Sequence, residues 1–149
     1  MRRIILIIVL TSAVSGTLSA HPHLFIKPEI SVINENNVIS GIDIEWEWDE
    51  WWSRDVIENC DLDKNGQFDK KETESIYNDF FIGIKDYFFM EIYANKKRQT
   101  VKNVINFSAK AKNKIVTYKF TVPLNLSEAN INFRIAFNDE TIYTSFADI

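Results

Sequence analysis

Between residues 42 and 48 the chain alternates strictly: Ile42, Ile44, Trp46 and Trp48 are apolar, and Asp43, Glu45 and Glu47 between them are acidic. A period of two sends successive side chains to opposite faces, so this segment predicts a strand with one apolar face and one row of carboxylates. The same period marks residues 24–33, where Pro28 signals an edge or bulge, and recurs at Val116, Tyr118, Phe120 and Val122 and at Ile131, Phe133, Ile135 and Phe137. Shorter strands are predicted over residues 89–93, 100–108 and 142–146, separated by turns at 34–37, 95–97 and 109–114, with Pro123 expected to stop the strand before it. In mid-chain the period changes. Ile76, Phe80, Ile84 and Tyr87 recur at spacings of four, four and three, widened by Tyr77, Phe81 and Phe88, which is one face of a helix. A second helix is predicted over Glu50–Cys60, capped by Asp49 or Ser53, with Cys60 as its buried last residue. Helices in one block with strands on both sides predict an α+β domain: an antiparallel β-sheet or sandwich with a helix-loop-helix inserted at about residues 49–88.

The two helices are joined by residues 61–72, which read D-L-D-K-N-G-Q-F-D-K-K-E. This register matches the twelve-residue EF-hand calcium loop. Asp61, Asp63 and Asn65 stand at positions 1, 3 and 5 and offer side-chain oxygens. Gly66 stands at position 6, where the sharp turn needs positive φ, and Gln67 at position 7 offers its backbone carbonyl. Asp69 at position 9 ligates directly or through a water, Glu72 at position 12 offers both carboxylate oxygens, and Phe68 at position 8 turns inward. A solvated acidic turn has no reason to keep this register, and a set of six or more oxygens suits Ca2+ better than Mg2+. There is no second such loop and only two methionines, so a paired sensor with a Met-rich groove is not expected. A lone loop is expected to act as a structural clamp with an affinity of order 10⁻⁴ to 10⁻³ M.

Composition and charge bound the rest. The 149 residues, 46% of them hydrophobic, suffice for one domain with its own core. Arg2 and Arg3, an apolar run from Ile4 to Leu10 and the small residues around Ala20 read as a signal peptide over residues 1–20, too short to span a bilayer. That predicts a secreted, periplasmic domain over 21–149 with no stable membrane anchor after cleavage. Removing residues 1–20 leaves 15 basic against 21 acidic residues, which disfavours nucleic acid as a partner. Cys60 is the single cysteine, so no internal disulfide staples the domain. Nothing in the pattern specifies an oligomeric state.

Cleavage after Ala20 would leave His21-Pro22-His23 at the new N-terminus, with His21 and His23 the only histidines. An α-amine and two imidazoles can hold a borderline metal such as Zn2+, Ni2+, Co2+ or Cu2+. Pro22 has no amide N–H to deprotonate, which excludes a square-planar copper site built on consecutive amides. The row Asp43, Glu45, Glu47 is a solvated face or a cation-binding one.

The segments His21-Pro22-His23-Leu24-Phe25-Ile26, Trp46-Glu47-Trp48-Asp49-Glu50-Trp51-Trp52-Ser53, the Asp61 loop and Asp86-Tyr87-Phe88 occur in one order along nearly the whole mature chain. In this the chain resembles an uncharacterised family of exported bacterial proteins described as periplasmic components of an ABC-type transport system. Trp48 and Trp52 replace phenylalanines of that pattern, and Glu140 to Phe146 matches its closing motif only loosely. The resemblance implies handling of a transition metal, with His21 and His23 as candidate ligands and a membrane metal transporter as candidate partner. Two histidines do not close a zinc site, so the terminal amine or Asp43, Glu45 or Glu47 would complete it.

The expected function is therefore an exported calcium-binding protein, an accessory component linked to transition-metal transport. The alternative is a calcium-stabilised interaction module with no second metal. A weaker alternative is a copper enzyme that uses an N-terminal histidine, but no further imidazole follows His23. No Ser/His/Asp or Cys/His set exists either, so no catalytic residue is assigned and an enzyme is not expected.

Overall fold

The computed structural model describes residues 24–36, 38–85, 90–126, 131–138 and 144–147. The expected signal peptide, His21, His23, Tyr87, Phe88 and Ile142 lie outside the described residues. Strands β1 (Leu24–Glu35) and β2 (Val38–Trp48) lead into helix α1 (Glu50–Cys60). After the loop come α2 (Lys70–Ile76), a π-helical segment (Tyr77–Phe81) and a last turn α3 (Ile82–Lys85). Strands β3 (Met90–Ala94), β4 (Lys97–Gln99), β5 (Ile105–Lys112), β6 (Ile115–Leu126), β7 (Phe133–Phe137) and β8 (Thr144–Phe146) follow. The fold is mixed α+β with two sheets, ordered β5-β6-β2-β1-β8 and β4-β3-β7. Every pairing is antiparallel except β1 with β8.

Alternation in β2 works as expected. Ile42, Ile44 and Trp46 are fully buried and stand in register with Val122, Phe120 and Tyr118 of β6, and Trp48 beyond them is nearly buried. Each side chain of this size contributes about 1.5–3 kcal/mol by leaving water. The helical block closes over this face: Phe81 lies 5.0 Å from Phe120 and 6.2 Å from Trp46, and Trp52 stacks on Trp48 at 4.9 Å. Met90 and Ile92 bring the second sheet into the same core.

Four expectations need correction. The run at 100–108 begins as a strand only at Ile105, and the polar stretch 109–112 belongs to it. Ala109 is buried, Ala111 packs on the core and Lys110 is exposed, so small apolar residues alternating with lysines form a strand here and not the expected turn. The turn proper is Asn113-Lys114, with φ of 53° and 66°. Asn95-Lys96, at 50° and 65°, makes a second two-residue turn, and positive φ at both positions is what a tight hairpin needs. Pro123 does not stop β6. It sits opposite Gly41 where the register slips by one residue, beyond the last residue paired to β5, and a missing N–H is tolerated there. A Cβ on Gly41 would come within 3.0 Å of the Val122 carbonyl, so the close approach requires glycine. Finally, the exit helix is not uniform. Its π turn shifts the helical register, and Phe80 meets Trp52 at 5.8 Å while Phe81 meets Phe107 at 4.6 Å. The strand expected from Ile131 starts at Phe133.

Candidate metal centre

Helix α1 is fixed at both ends before the loop begins. Asp49 caps it, accepting from Trp52 N at 2.9 Å through one oxygen and from Phe25 N at 2.6 Å through the other, which ties the helix to β1. Buried Ser53 accepts from Val116 N at 2.9 Å and donates to the Trp48 carbonyl at 3.4 Å. Trp52 Nε1 donates to the Tyr118 hydroxyl at 3.3 Å. At the other end Cys60 is buried as expected, and burial pushes its thiol pKa up. The loop therefore starts from a rigid element.

Within the loop, carboxylates organise the backbone. Asp61 accepts from Asn65 N at 3.1 Å and from Gly66 N at 2.9 Å, one to each oxygen. Asp63 Oδ1 accepts from Asn65 N at 3.1 Å. Glu72 joins the two ends, accepting from Leu62 N at 2.7 Å and from Asp69 N at 2.9 Å. Asp69 completes a capping box by accepting from Lys71 N and Glu72 N at 2.7 and 2.9 Å, which starts α2. Gly66 has φ of +79°, as its position demanded, and Lys64 also sits at positive φ. Phe68 packs against the core.

These bonds bring Asp61, Asp63 and Glu72 together, with one oxygen of each within 4.8 Å of the others. Asp61 is 7% exposed and Glu72 3%, while Asp63 faces solvent. No Lys or Arg among the described residues forms an ion pair with any of them. Three negative charges so close repel, and backbone donors offset only part of that cost. A carboxylate has about four lone-pair sites, so each oxygen that accepts one N–H retains capacity for a cation. The donor set is all oxygen, and hard divalent ions require that. On charge and chemistry the residues fit such an ion.

The other expected ligands stand beside this carboxylate group. Asp69 caps α2 through Oδ1, which accepts both bonds. Asn65 turns its amide nitrogen to Asp63 at 2.7 Å and its oxygen to Gln67 N at 2.7 Å. Gln67 is exposed. The carboxylate row on β2 is partly paired: Asp43 accepts from the Thr121 hydroxyl at 2.6 Å and Glu45 from Lys119 at 2.7 Å, which raises the Lys119 pKa, while Glu47 is exposed. The backbone donors of Leu62, Asn65 and Gly66 escaped the sequence reading, because nothing in residue type marks a main-chain N–H as a carboxylate partner.

A family profile for a protein of unknown function, DUF1007, matches residues 6–148. The chain belongs to that family. It is also similar, at 33% identity over 91 residues, to an uncharacterised 15.5 kDa protein in the trpE 3′ region of Spirochaeta aurantia. The match covers 60% of this chain and 65% of that protein, so the chain spans just under two thirds of the relative's length. No solved structure matches.

Proposed function

We propose that residues 61–72 form a calcium site that clamps the helix-loop-helix against the sheets of an exported domain, and that the domain serves transition-metal transport as a periplasmic accessory. The observation that supports the calcium reading is the convergence of Asp61, Asp63 and Glu72, two of them nearly buried, without a cationic side chain opposite. Asp61, Asp63 and Glu72 would hold the ion first, with Asn65, the Gln67 carbonyl and Asp69 completing the shell. Bound Ca2+ supplies the positive charge that lets these carboxylates sit together and joins α1 to α2. The transport reading rests on the resemblance at His21-Pro22-His23 and on the metal-binding capacity of those side chains.

Elemental analysis of the processed protein tests both parts. Calcium at one equivalent, lost in Glu72→Gln, supports the clamp; a second metal lost in His21→Ala supports the transport role. Calcium alone favours the second reading, an interaction module. Trp51 supports that reading: it is 68% exposed and lines an open groove of about 640 Å³ with Arg54, Ile57 and Ile115. A protein that binds neither metal refutes both.

A further inference from the structure

Among the described residues, strand β1 is covered on its outer side only at its start. It pairs with β8 over Leu24, Phe25 and Ile26, and the Ile26 carbonyl accepts from Ala147 N at 2.9 Å. Pro28 has no N–H to continue that ladder and so ends it. Backbone groups alternate in direction along an antiparallel strand, and Ile26 points away from β2, so Ile30, Val32 and Asn34 do too. From Lys27 to Glu35 no strand pairs with this edge among the described residues. Val32 is 49% exposed although its side chain lies on the core-side face with buried Ile26 and half-buried Ile30. An open edge with exposed apolar side chains is a template for another strand.

We infer that this edge pairs with the same edge of a second copy, antiparallel about a two-fold axis through Ser31. The choice of occupant comes from self-complementarity. With Ser31 opposite the partner's Ser31, Ile30 exchanges two backbone bonds with the partner's Val32, and Val32 with the partner's Ile30. The four apolar side chains then share one face. In this register exposed Lys27 stands opposite the partner's Glu35, and the dyad makes that pair twice. Moving the axis to Ile30 leaves Lys27 facing Ile33, and moving it to Val32 sets Glu29 against Glu35. Charge therefore selects one register. Pro28 lies at the rim, where it still accepts from the partner's Asn34. So short a seam buries less than the ~1,600 Å² of a standard interface, so the association is weak and concentration-dependent.

The test is sedimentation equilibrium of the folded chain over about a hundredfold concentration range. A monomer–dimer equilibrium is expected in calcium and in chelator alike, which separates this inference from the calcium site. Glu35→Lys or Lys27→Glu turns two attractive pairs into two repulsive ones and should weaken dimerisation by at least about tenfold. The double exchange, Lys27→Glu with Glu35→Lys, should restore it. Val32→Pro should abolish it, because it deletes an N–H directed away from β2 at an exposed position. Circular dichroism should show each variant folded. A monomer at every concentration overturns the inference, as does a dimer indifferent to Val32→Pro or to the single charge reversals.

Discussion

Replacing Glu72 by Gln keeps its shape and removes one charge from the group where Asp61, Asp63 and Glu72 meet. With chelator present, two effects oppose each other. Glu72 holds Leu62 N and Asp69 N at 2.7 and 2.9 Å, and an amide can accept from only one of them, so the variant loses about 1.5–3 kcal/mol of charge-assisted bonding. Against this, two carboxylates within 4.8 Å of each other repel by at least about 3.5 kcal/mol at an effective dielectric of about 20. The terms are similar in size, so the melting temperature without metal decides nothing. The response to calcium does. An affinity of order 10⁻⁴ to 10⁻³ M gives about 1.4–2.7 kcal/mol of stabilisation at ~10 mM Ca2+. For a domain of this size that is an upward shift of roughly 5–12 °C. Thermal melts followed by circular dichroism, with and without chelator, should show this shift in the parent chain and less than about a quarter of it in Glu72→Gln. A parent chain that melts at one temperature in both conditions, or a variant with the full shift, refutes the clamp.

Gly66→Ala forces a Cβ into φ of +79° and should cost about 1–2 kcal/mol in urea unfolding, with Gly66→Asn milder. Ser53→Ala leaves the buried Val116 N–H without its 2.9 Å acceptor and should cost about 1–3 kcal/mol in the same assay. Stability should fall as pH rises above 9, the ordinary value for the Cys60 thiol. Burial raises the pKa of Cys60 and of Tyr118, so the unfolded chain loses those protons first, and their contribution is complete only at lower pH. Denaturant midpoints between pH 7 and 10.5 check the direction, and a midpoint that rises over that window contradicts it. Thiol alkylation at pH 8 should track global unfolding, since Cys60 is 2% exposed; labelling as fast as that of a free thiol would show the α1 terminus open.

Local chemistry made much of this chain legible. Strict alternation at 42–48 announced a buried β2 face, because a period of two admits only one pleated answer once tryptophans and carboxylates occupy alternate positions. Asp49 announced the start of α1 and Gly66 the loop turn, since a cap and a positive φ are properties of single residues. Structure departs from local pattern where partners decide. Lys110 and Lys112 look like turn residues until β6 supplies the ladder that makes them the solvent face of a strand. Pro123 looks like a terminator until Gly41 opposite it absorbs the register slip. The π turn at Tyr77–Phe81 has no sequence mark; within it Phe80 meets Trp52 and Phe81 meets Phe107, contacts between elements far apart in the chain. The loop divides in the same way: its spacing named six ligands, and the tertiary structure shows that the Asp61, Asp63 and Glu72 carboxylates converge while Asp69 caps the following helix. Sequence by itself determined which residues can carry charge, turn sharply or face a core. Only the tertiary structure decided which of them meet, because long-range pairing sets the distances on which electrostatics and coordination depend.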